Sequence, residues 1–250
     1  MIVTGNTILI TGGGSGIGRA LAEAFHAAGN KIIIAGRRQQ ALEETAAANP
    51  GMIFQVLNVE DAEAVKTFAA QATQENPALN VLINNAGIMR AEDLLAEPFD
   101  LADAEATITT NLLGPIRLTT ALLPHLRRQA AATVINVSSG LAFVPLAMTP
   151  TYCATKAAIH SYTQALRHQL RGTAVQVIEL APPGVATDLM PHSRTDPNMM
   201  PLADYISESM ALLEANPAAA EICVERVKML RNAEAGGQYA AVFNMLNPAG

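Results

Sequence analysis

Tyr152 and Lys156 stand four residues apart in Tyr152-Cys153-Ala154-Thr155-Lys156. In a helix that spacing puts both side chains on one face, within reach of each other. A free phenol, with a pKa of about 10, is a poor acid–base group at neutral pH. A neighbouring ammonium stabilises the phenolate and lowers that pKa, each unit being worth about 1.4 kcal/mol. Ser139 lies earlier in the chain, just past an apolar run, and offers a hydroxyl that can hydrogen-bond a carbonyl oxygen. The chemistry such a set can do is proton transfer to or from an oxygen. Taken alone the pair proves little, because many helices hold a tyrosine and a lysine at this spacing by chance.

A second group sits near the start. Thr11-Gly12-Gly13-Gly14-Ser15-Gly16-Ile17-Gly18 follows an apolar run and opens a helix-patterned stretch. The common GxGxxG spacing does not fit; TGxxxGxG does, with Thr11, Gly12, Gly16 and Gly18. Glycines there let the backbone turn tightly and approach a pyrophosphate, whose charge then sits at a helix N-terminus. Further on, the chain reads Ile34-Ala35-Gly36-Arg37-Arg38. It has no carboxylate where dinucleotide folds often hold the adenosine ribose hydroxyls. A guanidinium is a planar, permanently charged fork suited to a phosphate monoester. Arg37, with Arg38 beside it, therefore favours a 2′-phosphate and so NADP(H); the alternative is a solvated pair at a helix start.

These residues need elements to position them. Short apolar runs occur at Thr7–Ile10, Lys31–Ala35, Met52–Val56, Val81–Ile83, Thr133–Val137 and Val175–Leu180. They are β-branched and mostly continuous, as expected of strands covered on both faces. Ala- and Leu-rich helix patterns such as 19–28, 39–48 and 61–73 alternate with them. The βαβα order predicts an α/β fold: a single doubly wound parallel sheet spanning residues 1–250. Beyond Asp196, Pro197, Pro201 and Pro217 punctuate two further helix-like stretches, 201–216 and 217–232. Residues 188–235 are thus expected to form a helical lid and cap.

Composition narrows the function. Of 250 residues 50% are hydrophobic and 15% charged, which excludes intrinsic disorder. A net charge of -6 leaves no basic surplus for phosphate backbones, so no nucleic-acid partner is expected. No apolar run reaches the roughly 18 residues of a membrane helix, and the first residues lack a signal-peptide pattern. Cys153 and Cys223 read as ordinary thiols of a reducing compartment. The expected location is cytoplasmic. His26, His125, His160, His168 and His192 show no metal-ligand spacing, and no metal site is expected. Ser138-Ser139-Gly140 lacks the GxSxG elbow of a hydrolase.

Taken together, the motifs resemble the compact short-chain dehydrogenases/reductases, and in particular their DltE-like branch. They occur in order over residues 6 to about 190: the glycine motif Thr11–Gly18, Asn84-Asn85-Ala86-Gly87, Asn111 in Thr110-Asn111-Leu112, Ser139, and then Tyr152 with Lys156. The resemblance implies a catalytic tetrad of Asn111, Ser139, Tyr152 and Lys156. The tyrosine would be the general acid in ketone reduction, and the lysine would lower its pKa and hold the nicotinamide ribose. The serine would orient the carbonyl, and the asparagine would support a water-linked proton relay. Cofactor contacts are expected at Gly12, Gly14, Ser15, Gly16, Ile17, Gly18, Arg37, Arg38, Asn58, Val59, Asn85, Ala86, Gly87, Tyr152, Lys156, Pro182, Val185 and Thr187. Pro183 stands where the family usually has glycine, so a backbone donor toward the nicotinamide is lost. The tail Gly236–Gly250 lacks the family's glycine-rich last strand, which points to a homodimer with a tetramer as the alternative.

Leu141, Phe143, Pro145 and Leu146 after the serine, with Leu189 and Met190 on the lid, are expected to line the substrate space. All are apolar, and neither segment places a lysine or arginine to bind a charged group. The expected activity is an NADP(H)-dependent carbonyl reductase or alcohol dehydrogenase for an uncharged apolar or aromatic ketone or secondary alcohol. The alternative is a dinucleotide-binding sensor without turnover, which would have no need of Tyr152.

Overall fold

The computed structural model describes residues 1–98 and 100–248. Its elements follow the alternation of the sequence: β1 (Thr7–Thr11), α1 (Gly16–Ala27), β2 (Lys31–Gly36), α2 (Gln39–Ala48), β3 (Ile53–Val56), α3 (Ala62–Glu75) and β4 (Leu79–Asn84). Then come α4 (Ala102–Ile108), a π turn (Thr109–Leu113), α5 (Gly114–Leu126), β5 (Ala132–Val137), α6 (Pro150–Gln169) and β6 (Val175–Leu180). The chain closes with α7 (Leu202–Ala215), β7 (Glu221–Ile222), α8 (Lys228–Arg231) and α9 (Tyr239–Leu246).

The strands form one parallel seven-stranded sheet in the order β3-β2-β1-β4-β5-β6-β7. Alternate residues of each strand serve opposite cores. Ile8, Ile10, Ile32, Ile34, Ile178 and Leu180 pack with Leu21 and Phe25 of α1 and Tyr205 and Leu213 of α7. Leu9, Ile33, Leu82, Val134 and Val177 pack with Val65 of α3, Leu118 and Leu122 of α5, and Leu166 of α6. Burial on both faces explains why the strands read as continuous apolar runs. The order reverses between β1 and β4, and the crevice beyond their carboxyl ends is where ligands bind in open sheets of this kind.

Two expectations for the tail change. Residues 201–216 do hold a helix, α7, but its buried face is part of the core beneath the sheet. Residues 217–232 are not one helix: they contain β7, a 3-10 turn at Glu225–Val227 and the short α8. Ala181 N–H donates to Ile222 O and Glu179 N–H to Ala220 O, so the free edge of β6 captures this segment as a strand. Tertiary pairing overrides a weak local preference there.

Candidate active site

The first turn and the end of β4 are tied together. Thr11 Oγ1 accepts from the N–H groups of Asn85 and Ala86, both at 3.0 Å, and Asn85 Nδ2 donates to Thr11 O at 3.0 Å. A Cβ on Gly12 would lie 2.9 Å from Asn85 Nδ2, and one on Gly18 would lie 2.4 Å from Gly12 O. Neither position has room for a side chain. Gly14 lies against α2, where its Cβ would meet Ala41, and Gly16, at φ +53, lies under the Thr187 side chain. Ile17 is half-buried against the α1 core. The first turn of α1 carries no acidic residue, and Ser15, its N-cap, leaves the helix's first amides uncapped by its side chain. Free amides at a helix N-terminus, walled by glycines, fit the pyrophosphate of a dinucleotide.

Both arginines after β2 reach this crevice. Arg38 Nη2 donates to Ser15 Oγ at 2.6 Å, which brings its charge onto the glycine turn. Arg37 Nη1 is paired with Glu60 Oε1 at 2.8 Å, and the same carboxylate oxygen accepts from Thr110 Oγ1 at 2.7 Å. Asn58 braces the turn after β3 by accepting from Glu60 N–H at 3.2 Å, and buried Val59 backs onto Gly114. Pro182 O accepts from Gly140 N–H at 2.7 Å, and Val185 bridges to Met200.

The four tetrad residues are all buried. Asn111 lies within the π turn, a local widening often found at functional sites. Its side chain closes the loop after β4: Oδ1 accepts from Ile88 N–H at 2.9 Å, and Nδ2 donates to Ile88 O at 2.8 Å. A Cβ on Gly87 would press on that amide at 3.3 Å. Ser139 follows β5, with its hydroxyl accepting from Leu141 N–H at 3.1 Å. Tyr152 and Lys156 share one face of α6, with the ammonium 5.6 Å from the phenol ring centre.

The electrostatics differ from the simple expectation of a lysine-lowered phenol. Burial pushes Tyr152 up to about 12, and the Ser139 hydroxyl pulls it only partly back. Burial also brings Lys156 down to about 8, against an upward pull from Glu179. The ammonium donates to Val137 O at 2.8 Å. Burial is the largest influence on the phenol, which is therefore held protonated at neutral pH.

Next to Tyr152 is an apolar cluster of Met89, Cys153, Leu141, Leu146 and Met190. It includes three of the expected substrate residues. Phe143 is not among them: its ring meets His160 edge-on at 4.9 Å and lies beneath the Arg231 guanidinium at 4.7 Å. Pro145 gives its carbonyl to Asn247, and Leu189 is exposed. Met89 and Cys153 were not anticipated, because nothing in their local sequence sets them apart.

Two distant side chains hold this wall in place. Glu92 caps α6 one residue before Tyr152, accepting from Thr151 N–H at 3.0 Å and Thr151 Oγ1 at 2.7 Å. Asn247, just after α9, accepts from Ala147 N–H at 2.6 Å and donates to Pro145 O at 3.0 Å, clamping the loop that carries Leu146. Both contacts are long-range in sequence and leave no local pattern.

Residues 6–198 match the family model for short chain dehydrogenase. The chain is 39% identical over 251 residues to the uncharacterized oxidoreductase DltE of Bacillus subtilis (strain 168), covering 99% of this chain and 98% of that protein. It superposes on a short chain dehydrogenase from Burkholderia cenocepacia J2315, solved in complex with NADP, with a TM-score of 0.83 and 25% identity over 100% of both chains. A 3-ketoacyl-(acyl-carrier-protein) reductase from Brucella melitensis, complexed with NADH, gives a TM-score of 0.78 and 25% identity over 88% of this chain and 96% of that one. The chain belongs to the short-chain dehydrogenase/reductase family. It is an oxidoreductase of that class, with the family's parallel sheet and nicotinamide-dinucleotide chemistry.

Proposed function

We propose that the protein is an NADP(H)-dependent carbonyl reductase or alcohol dehydrogenase acting on an uncharged ketone or secondary alcohol with an apolar or aromatic arm. The observation that carries this reading is the buried, protonated Tyr152, set beside Ser139 and Lys156 and walled by Met89, Leu141, Leu146 and Met190. The glycine turn, Asn85, Ala86, Thr187 and Lys156 would hold the dinucleotide, which supplies or accepts the hydride when bound. Ser139 Oγ–H hydrogen-bonds the substrate oxygen and fixes the carbonyl. Tyr152 Oη–H gives its proton to that oxygen as negative charge builds on it, and Lys156 stabilises the phenolate left behind. Asn111 keeps the loop after β4 closed against α6, donating from Nδ2 to Thr155 Oγ1 at 3.3 Å. The side chains packed around Tyr152, namely Met89, Cys153, Leu141, Leu146 and Met190, are apolar and suit an uncharged substrate arm.

Preference for NADP(H) rests on Arg37 and Arg38. Arg38, bonded to Ser15, already holds its charge on the glycine turn, and Arg37 becomes available when Glu60 is displaced. The assembly proposed is a homodimer, with a tetramer as the alternative. Two free thiols, Cys153 and Cys223, suit the proposed cytoplasmic location.

The test follows NADPH and NADH oxidation with a panel of aryl ketones, aldehydes and keto esters, set beside charged keto acids. NADPH-linked turnover of the uncharged members is expected. Activity confined to charged keto acids would contradict the apolar site, and equal use of NADH would contradict the role of Arg37.

A further inference from the structure

Behind Lys156, away from the substrate wall, lies a polar chain that the reaction above does not use. Tyr152, Lys156, His160 and Gln164 recur at intervals of four along α6, so they form one stripe of the helix. His160 Nδ1 is 2.7 Å from Glu179 Oε2 of β6, and its Nε2 is 2.8 Å from Gln164 Nε2. An amide nitrogen only donates, so Gln164 fixes Nε2 as the acceptor and leaves the hydrogen on Nδ1. His160 therefore donates to Glu179, whose carboxylate is the ionised end of the chain. Glu179 is 1% exposed, and its other oxygen, Oε1, has no hydrogen-bond partner. A carboxylate that dry and that incompletely bonded is costly unless a cation lies near it. Lys156, itself 5% exposed, is the buried cation on the helix packed against this part of β6.

We infer that Glu179 is the buried counter-charge of Lys156, held in place by His160 and Gln164, and is thus a positioning residue for the proton-transfer site. This rests on the reductase reading of Tyr152 and Lys156. The surrounding charges do not supply the same effect. Glu221 of β7 stands directly opposite Glu179 in register, but it is neutralised by Arg231 of α8 at 2.5 and 3.1 Å. Cys223, just after β7, donates to Glu221, and Cys153 of α6 is a thiol pushed up by burial. Arg167 of α6 spends its donors on the Val177 and Ala220 carbonyls. Glu179 is the charge that pulls Lys156 upward against burial. Without it, the lysine would release its proton at lower pH and leave Tyr152 without its cation over the range where reduction runs.

The experiment reads Lys156 directly, in the free protein. The chain has four lysines, Lys31, Lys66, Lys156 and Lys228, so 13Cε-lysine NMR can follow each one, with Lys156→Met giving the assignment. Glu179→Gln keeps the shape and removes the charge. Its Lys156 midpoint should fall by about one pH unit or more, a tenfold loss of proton affinity, while Glu179→Asp should restore most of it. His160→Leu, at a partly exposed position, should move the midpoint the same way by roughly half as much, because Glu179 loses its donor. In the assay the high-pH limb of kcat should shift with the NMR midpoint, with KM at low pH unchanged. A Lys156 midpoint unmoved in folded Glu179→Gln would overturn the inference, and if that variant does not fold, an unmoved midpoint in His160→Leu does so. A shifted midpoint in a protein that turns over no ketone would leave the counter-charge standing and refute the reductase reading.

Discussion

In the proposed reaction Lys156 is the cation that stabilises the Tyr152 phenolate. Its pKa is lowered from 10.5 to about 8 by burial, so the ammonium is present below pH 8 and lost above it. Ketone reduction, which needs that cation beside Tyr152, should therefore fall as pH rises through about 8 in a kcat profile. The stability sign is the reverse. Between about 8 and 10.5 the unfolded chain holds a proton that the folded one lacks, so this group's destabilising effect is full below pH 8 and lifts as pH rises through that window. Lys156→Met removes that burial cost but also leaves the buried Glu179 carboxylate without its cation, so it should lose turnover and melt lower than the wild type at pH 7; a higher Tm would mean that Glu179 does not depend on Lys156. At the other end of the crevice, Glu60→Gln releases Arg37 from its ion pair. NADPH should then bind roughly threefold more tightly, in keeping with the ~0.2–1 kcal/mol of a half-exposed pair, with NADH little changed in a fluorescence titration. Tyr152, Lys156 and the glycine turn were legible in the sequence because their spacing is their function. Glu60, Glu179 and Glu92 were not, since each acts across the fold on a partner far away in the chain.

At the scale of elements, the strands announced themselves and the tail did not. Ile32-Ile33-Ile34 and Val134-Ile135 are buried on both faces, which forces apolar residues at every position and so writes the strand into the sequence. The two residues of β7 offer no such pattern, because their pairing is imposed by the open edge of β6. Phe143 stands outside the Tyr152 cluster for a related reason: it is close to Ser139 in sequence, but the turn at Gly140–Ala142 brings its ring onto His160 and Arg231. The helices over the sheet are registered by a buried polar ladder. Asn84 Nδ2 donates to Asn136 Oδ1 at 2.8 Å and to Thr119 Oγ1 at 2.9 Å, and Asn136 Nδ2 donates to Thr163 Oγ1 at 2.9 Å. Asn136→Ala strips partners from β4 and α6 at once and should cost about 2–4 kcal/mol in denaturant unfolding. A loss below that of an ordinary surface change would show that water fills the gap. Glu92→Ala, which uncaps α6, should cost about 1 kcal/mol and lower kcat by loosening Tyr152.

For the whole molecule, the parallel sheet gathers residues from distant parts of the chain at one edge. The end of β1 brings the glycine turn, β4 brings Asn85 to Gly87, β5 brings Ser139, and α6 packs Tyr152 and Lys156 against them. The tail then reaches back, through Asn247, to fix the loop above the tyrosine. The proposed reductase requires Tyr152 to act as a proton donor within an otherwise intact binding site. The measurement is kcat for NADPH-linked reduction of an aryl ketone by wild type and Tyr152→Phe, with the NADPH Kd of each determined on the same preparations. Turnover lower by at least about 100-fold with Kd essentially unchanged is the expected result. A variant that keeps more than about a tenth of wild-type turnover while binding NADPH normally would contradict the general-acid role.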